Sequence, residues 1–294
     1  MVRLRLISDI HYDLDLNGNP NKSANHTPFG SYFGKNLQEK DCITLIAGDI
    51  AASLKQTNRF LHDFFENQEV IFVEGNHSVY EDRFKTIYEI KDSYRNKFPK
   101  DSGLWHYLEN DWMWISNSNQ SIAIIGSEFY TDYKYSLDKT LSEKEIINHN
   151  EIVALYGIKD FRYGLETPIL PITPQLYREL NLLAQEEITR CYNEIISINP
   201  EAKIILMTHH CLSPKCIDDA YIGDIMNASY VSDLEGWINS FTNIKLVFSG
   251  HVHCGKDFIF GNNKRYIINA CGYILGRDPF RKVRKFNPNL ILDF

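Results

Sequence analysis

Short runs of apolar residues recur along the chain at lengths that suit β-strands. They are rich in Ile, Val, Leu and Phe, and near-continuous runs of this kind are typical of strands buried on both faces. The pattern predicts strands at residues 2–8, 42–47, 69–73, 122–125, 203–208 and 244–248.

Helical periodicity appears between these predicted strands. Apolar residues recur near helical spacing in residues 54–67, and a longer stripe predicts a helix over residues 174–198. Pro174 suits the first turn of that helix, and Asn199-Pro200 ends it. Strands that alternate with helices predict βαβ units and an α/β fold.

The alternation of predicted strands and helices is interrupted in two places. Residues 256–260 and 264–268 flank a short polar turn and predict a hairpin, and residues 290–294 predict a last strand, so we expect mixed sheets. Residues 131–173 are polar and aromatic, with one helical segment near residues 142–156. We expect them to form an insertion or cap on a single domain that spans residues 1–294.

The composition is that of a soluble globular protein. The 294 residues are 44% hydrophobic and 23% charged, and no apolar run approaches the ~18 residues that would cross a membrane. The first seven residues carry charges and lack a cleavage site, so they predict a strand and not a signal peptide. We therefore expect a cytoplasmic protein with no membrane partner, in which the six scattered cysteines are free thiols.

The net charge of −7 limits the range of partners. Tight binding to duplex nucleic acid needs clustered cations, and the one dense basic cluster, at residues 281–285, is best explained as a solvated segment. A nucleotide or a short oligonucleotide held by metal ions remains compatible with this charge.

Five short polar motifs each follow a predicted strand. In open α/β sheets ligands bind at the carboxyl ends of the strands, so we expect the motifs to converge. In Asp9-Ile10-His11 and in His251-Val252-His253, an extended chain would place the first and third side chains on the same face, unless the turn intervenes. We expect the motif glycines to provide tight turns and a close approach of the backbone to an ion. The motifs are Asp9-Ile10-His11, Gly48-Asp49, Gly75-Asn76-His77, His209-His210 and Gly250-His251-Val252-His253.

The side chains of these motifs are suitable metal ligands. Oxygen from Asp and Asn with nitrogen from His suits Mn, Fe, Zn, Co or Ni better than Ca or Mg. Seven ligands suit two ions bridged by a carboxylate. A site that includes Cys211 and Cys254 is an alternative, but these residues are better explained by packing. The seven candidate ligands are Asp9, His11, Asp49, Asn76, His209, His251 and His253.

The five motifs, in this order, resemble those of the calcineurin-like metallophosphoesterases. The resemblance covers nearly the whole chain, and further stretches resemble a bacterial subgroup whose substrates are largely unknown. It implies a four-layer αββα fold, in which two mixed sheets pack as a sandwich flanked by helices, with a small helical cap near residues 131–173. The further stretches are residues 126–133, 160–162, 208–210, 231–235 and 269–273.

The resemblance also implies roles for individual residues. A hydroxide that bridges two metal ions, with Mn²⁺ expected to serve best in vitro, would attack phosphorus. His77 would contact the phosphate and protonate the leaving oxygen, and Asp49 would bridge the ions. The first ion would take Asp9, His11, Asp49 and His253, and the second would take Asp49, Asn76, His209 and His251.

Some assignments stay open on the sequence alone. His209 is favoured over His210 as a ligand because it directly follows its strand in the family pattern. We predict that Asn76, His210 and Arg162 bind substrate, although an ion pair of Arg162 with Asp160 or Glu166 explains that arginine equally well.

The predicted substrates are small nucleotide-like phosphodiesters. His77, the acidic charge and several tyrosines that could stack on a base favour them. The alternatives are a phosphomonoesterase, a nuclease and a non-catalytic, metal-stabilised binding module. The sequence does not indicate an oligomeric state. The tyrosines are Tyr12, Tyr130, Tyr133, Tyr163 and Tyr273.

Overall fold

Eleven strands form two mixed sheets in the computed structural model, which describes residues 2–16, 30, 42–80, 85–116, 118–161, 172–273 and 286–294. The first sheet has the order β11-β1-β2-β3-β4. Strands β1 to β4 are parallel, and β11 is antiparallel to β1. These strands are β1 (Arg3–Ile7), β2 (Ile43–Ala47), β3 (Val70–Val73), β4 (Trp105–Tyr107) and β11 (Ile291–Asp293).

The second sheet has the order β5-β6-β7-β8-β10-β9. Its central strands are parallel, and the edge strands β5 and β9 are antiparallel to their neighbours. Its strands are β5 (Asp111–Trp114), β6 (Ile122–Ser127), β7 (Lys203–Thr208), β8 (Ile244–Ser249), β9 (Lys256–Phe260) and β10 (Lys264–Ile268).

Three of the helices begin with clear capping signals. Thr86 and Ser142 each form a capping box with the glutamate three residues later, and Thr173 caps the long helix that starts with Pro174. The α-helices are α1 (Tyr12–Leu16), α2 (Leu54–Phe65), α3 (Ile87–Lys97), α4 (Glu143–Gly157), α5 (Pro174–Ile198) and α6 (Glu235–Asn239).

Three apolar clusters arrange these elements in four layers. One cluster lies between the sheets, where Leu45 of β2 packs in the same core as Met207 of β7. A second lies between the first sheet and helices α2 and α3, and a third between the second sheet and α5. Because neighbours along a strand point to opposite faces, Ile46 packs under the helices while Leu45 faces the other sheet. The αββα sandwich expected from the resemblance is confirmed.

Two short strands and helix α3 were not predicted. Strands β4 and β5 have three and four residues, and β5 is only half-buried, so neither shows a long apolar run. Within residues 131–173, helix α4 lies close to its predicted place. Asn150 of α4 donates to the carbonyls of Tyr133 and Tyr135, both at 2.9 Å. No helix among the described residues is long and apolar enough to cross a membrane.

Candidate metal centre

The five sequence motifs meet where the carboxyl ends of strands from both sheets come together. Asp9 follows β1, and its backbone N–H donates to the carbonyl of Gly48, 3.1 Å away, which follows β2. In the second sheet, the N–H of Gly250 donates to the carbonyl of His209 at 3.0 Å. The centre therefore lies between the two sheets and not at one edge of a single sheet.

One group of side chains contains four residues from three motifs. Their candidate ligand atoms all lie within 4.8 Å of one another, in the set Asp9, His11, Asp49 and His253. The Nε2 atoms of His11 and His253 are 2.9 Å apart, and His253 Nε2 is 3.4 Å from Asp9 Oδ1. Two buried carboxylates and two ring nitrogens facing a common point are the donors that a transition-metal ion binds.

A second group shares Asp49 with the first. His209 Nε2 lies 3.5 Å from Asp49 Oδ2 and 3.1 Å from the side-chain oxygen of Asn76. The ring of His251 is 5.0 Å from that of His209, and its buried Nε2 has no hydrogen-bond partner among the described residues. A buried nitrogen without a partner is costly unless something else binds it.

The carboxylate of Asp49 lies at the junction of the two groups. Its Oδ1 accepts the backbone N–H of His77 at 3.1 Å. Its Oδ2 is 3.8 Å from the Nε2 of His11, 3.8 Å from that of His77 and 3.5 Å from that of His209. This oxygen is placed to be shared between two cations.

Hydrogen bonds orient the surrounding ligands. His209 Nδ1 lies 3.0 Å from the carbonyl of Ala47, so this nitrogen donates there and Nε2 is the ring nitrogen that faces Asp49. Asp9 Oδ1 accepts the N–H of His251 at 2.8 Å, while the buried Asp9 Oδ2 has no hydrogen-bond partner in the part of the chain that the structure describes. The donor types and the buried atoms without partners fit two metal ions.

Burial and mutual charge set the protonation states of the metal-free centre. Burial lowers the pKa of His11 and of His251 well below the ordinary value, so both are neutral. Burial alone would raise the pKa of Asp49, but His77 and His209 hold it well below its usual range. Burial disfavours protonation of His209, yet Asp49 outweighs it and raises the pKa to about 9. Ionised carboxylates and neutral imidazoles are the forms that bind metal, so His209 has to release its proton when an ion binds.

Five of the candidate ligands have a left-handed backbone. Their φ angles are 54° at Asp9, 49° at His11, 48° at Asp49, 71° at His251 and 48° at His253. Each such residue costs roughly 1–2 kcal/mol, and strain of this kind persists at functional sites that the surrounding fold holds in place. The turns therefore do intervene in the first and last motifs, and turns rather than the alternation of an extended chain orient these side chains.

The motif glycines make room for the ligands. A Cβ at Gly48 would lie 2.3 Å from His209 Nδ1, and one at Gly75 would lie 2.2 Å from Asp49 Oδ1. A Cβ at Gly250 would lie 2.5 Å from Asp9 Oδ2. Of the three, Gly48 has a positive φ, 84°. At these glycines the backbone lies close to the side chains of the candidate ligands. The close approach that the sequence predicted is therefore to these side chains.

The predicted substrate-contacting residues have different environments. His77 is 12% exposed, with its ring 4.5 Å from that of His11 and 4.3 Å from that of Tyr80. His210 is buried and packs on His251, with ring centroids 4.1 Å apart. Arg162 lies outside the described residues.

The two cysteines beside the motifs are buried thiols. Burial raises the pKa of Cys211 well above its ordinary value and that of Cys254 to about 12. Cys211 donates to the carbonyl of Gly250 at 3.3 Å, and Cys254 donates to that of Cys216 at 3.6 Å. Because thiolates are the form that binds metal, this environment favours packing as their role.

Tyr80 and Asp160 near the centre were not assigned a role at the site from the sequence, and Tyr273 was named only as one of five tyrosines that could stack on a base. Tyr273 lies with its hydroxyl 3.4 Å from His77 Nε2 and its ring 4.5 Å from that of His11. Asp160 and Tyr80 contact Asn76. Asp160 and Tyr273 fall in stretches that carry the family resemblance, and this was the available signal that they lie at the site. Their spatial neighbours are far away in sequence, so the sequence did not indicate what they contact.

Comparison with known proteins places the chain among phosphoesterases. A family model described as calcineurin-like phosphoesterase matches residues 2–255. A search of curated proteins found no significant match.

Two solved structures share the fold. A phosphopantetheinyl hydrolase from Mycobacterium tuberculosis has 17% identity and a TM-score of 0.62, with 96% of this chain and 94% of that chain covered. A dimetal phosphatase from Danio rerio has 13% identity and a TM-score of 0.51, with 91% of this chain and 86% of that chain covered.

Proposed function

The chain belongs to the calcineurin-like phosphoesterase family and is a metal-dependent phosphoesterase, and we propose that it works with two metal ions that share Asp49. The single observation that carries this proposal is the position of Asp49 Oδ2, within 3.8 Å of His11 Nε2 from the first group and 3.5 Å of His209 Nε2 from the second. The first ion would take Asp9, His11, Asp49 and His253, and the second Asp49, Asn76, His209 and His251.

The bound ions would supply an activated water nucleophile and neutralise charge on the phosphoryl oxygens. The chain's own residues then bind and orient the ester. The N–H of His77 donates to Asp49 Oδ1, which fixes His77 beside the centre with part of its ring exposed. His77 is the residue that would hold a proton for the leaving oxygen.

We propose small, nucleotide-like phosphodiesters as the substrates. Aromatic rings border the centre, because Tyr273 packs 4.6 Å from His253 and Tyr230 packs 5.0 Å from His251. Such rings suit stacking on a base or another flat group. The net charge of −7 disfavours long nucleic acids. His210, Asn76 and Arg162 stay our candidates for contacts to substrate, in a protein that we propose to be cytoplasmic.

A substrate panel tests this function. The purified protein, loaded with Mn²⁺, is assayed on bis-(p-nitrophenyl) phosphate, p-nitrophenyl phosphate, cyclic and linear nucleotides, and single- and double-stranded DNA and RNA. A phosphopantetheinyl ester joins the panel because of the name of the Mycobacterium tuberculosis neighbour. We expect turnover of diesters that chelation abolishes and added metal restores.

Each other outcome of this substrate panel would favour a different function. Cleavage of monoesters alone would remove the diesterase proposal and leave a phosphomonoesterase. Cleavage of polymeric nucleic acid in preference to small diesters would favour a nuclease. No metal-dependent turnover on any substrate, with two ions bound, would favour a binding module.

A further inference from the structure

Asp160 is a buried carboxylate that accepts hydrogen bonds from three residues in other parts of the chain. It is 2% exposed and comes from the inserted region of residues 131–173. Its Oδ1 and Oδ2 lie 3.0 Å and 3.1 Å from the amide nitrogen of Asn76. Tyr177 of α5 donates to Oδ2 at 3.1 Å, and Tyr80 donates to Oδ1. These donors fill the carboxylate's acceptor positions, so Asp160 fits the site in its ionised form.

These contacts determine which end of the Asn76 amide faces the metal centre. An amide carries a donor nitrogen and an acceptor oxygen, and only the oxygen binds a cation. Since both oxygens of Asp160 hold the nitrogen, the oxygen of Asn76 points to the opposite side, 3.1 Å from His209 Nε2. A rotated amide would set its oxygen against the Asp160 carboxylate and its N–H groups towards the cation.

The second ion depends on this orientation more than the first does. Among the four proposed ligands of the second ion, only Asp49 carries a charge, and it is shared. Asn76 is a neutral ligand. A carboxylate directly behind its amide polarises the amide oxygen and adds negative charge close to the ion. The first group has the two carboxylates of Asp9 and Asp49, whereas the described hydrogen bonds of Asp160 go to Asn76, Tyr80 and Tyr177.

We propose that Asp160 is a positioning residue that holds Asn76 for the second metal ion. The inference rests on the proposed function, in which two ions share Asp49. Tyr80 and Tyr177 prevent the carboxylate from rotating away, because each donates to a different oxygen. The inserted region thereby takes part in binding the second ion.

Metal titration of the metal-free protein tests this role without relying on activity. Wild type and Asp160→Asn are titrated with Mn²⁺ by calorimetry, and the two-ion state is followed by its spin-coupled EPR signal. We expect Asp160→Asn to weaken the second binding step by about 10- to 100-fold and to leave the first unchanged. The coupled signal should then be lost at Mn²⁺ concentrations that saturate the wild type.

A control and a milder variant make the result decisive. Glu151→Gln changes another acid of the inserted region, which contacts Arg178 of α5 at 2.8 Å, and should leave both binding steps unchanged. Tyr177→Phe keeps the aromatic ring and removes one donor to Asp160, so it should weaken the second step to a smaller extent. It provides the test if Asp160→Asn does not fold.

The outcomes separate this inference from the proposed function. A wild-type protein that binds a single ion overturns the two-metal proposal and this one with it. A wild type that binds two ions, with an equally tight second step in folded Asp160→Asn or, if that variant does not fold, in Tyr177→Phe, overturns only the role of Asp160. Equal weakening of both steps would also overturn it, since a general loss of structure would then explain the effect.

Discussion

Gly48 faces the ring of His209 so closely that a Cβ at residue 48 would lie 2.3 Å from His209 Nδ1. The same nitrogen donates to the carbonyl of Ala47 at 3.0 Å. The turn after β2 therefore fixes the ring of His209, a candidate ligand that follows β7 in the other sheet. Any side chain at residue 48 has to displace this ring or the backbone that holds it.

We predict that Gly48→Ala weakens the second metal site as well as the fold. Gly103→Ala is the matched control, because Gly103 has a similar φ of 82° but no atom near the added Cβ. The control should lose about 1 kcal/mol of unfolding free energy from the left-handed backbone alone. Gly48→Ala should lose more and bind the second Mn²⁺ less tightly, as measured by denaturant unfolding and metal titration. Equal losses in both variants would contradict the steric argument.

We predict a pH dependence of stability in the metal-free protein that arises from His209. Its pKa is about 9 in the folded state against an ordinary 6.5, because Asp49 stabilises the protonated ring. The stabilisation that the protonated His209 ring gives to the folded state is complete below pH 6.5 and is lost as the pH rises to about 9. The free energy of unfolding should therefore fall over this interval by up to about 3 kcal/mol.

Asp49→Asn tests the source of that pH dependence. Without the carboxylate the pKa of His209 should fall, and the decline in stability between pH 6.5 and 9 should largely disappear. Asp257→Asn is the control, since Asp257 pairs with Arg265 at the surface, 2.7 Å away. A decline in Asp49→Asn as steep as in the wild type would rule out this origin. NMR titration of the His209 ring gives the pKa directly.

We predict that His77→Gln lowers the rate of the chemical step and leaves metal binding unchanged. With His77 as the proton donor to the leaving oxygen, kcat should fall about 10²- to 10⁴-fold for alkyl leaving groups. The loss should be much smaller for p-nitrophenolate, which leaves without protonation. Metal content should stay at the wild-type value, and His62→Gln on α2 is the control. Equal losses for both kinds of leaving group would argue against a proton-donating role.

We predict that Lys91→Met strongly destabilises the protein. Lys91 is buried and contacts the carboxylates of Glu109 and Glu128, the latter at 3.3 Å. Removing it leaves buried acids without their cation, which costs about 3–5 kcal/mol. Lys100→Met removes the half-exposed pair with Asp111 and should cost less than about 1 kcal/mol. Chemical unfolding of both variants measures the difference, and similar costs would contradict it.

The parts of the fold that could be predicted from sequence are those with strong periodicity. The long helix α5 and strand β7 have the predicted bounds, because burial of an apolar stripe or of both strand faces leaves a clear pattern. Strands β4 and β5 could not be found in this way. They are short, and they pair with β3 and β6 respectively. The apolar pattern of such a short segment does not show which strand it pairs with.

The candidate site shows the same division. The motif order predicted which side chains would assemble, since each follows a strand. It did not predict that two sheets would contribute, or that Asp9 and His253 would adopt left-handed backbone angles. Asp160 was missed because its relation to Asn76 exists only in three dimensions, across 84 positions of sequence.

The proposed ligands of the first ion lie far apart along the chain, since Asp9 follows the first strand and His253 follows the eighth. During synthesis, a nascent chain that ends before His253 lacks part of this proposed coordination sphere. We therefore expect the first ion to be bound only when β1 and β8 are both in place in the folded chain.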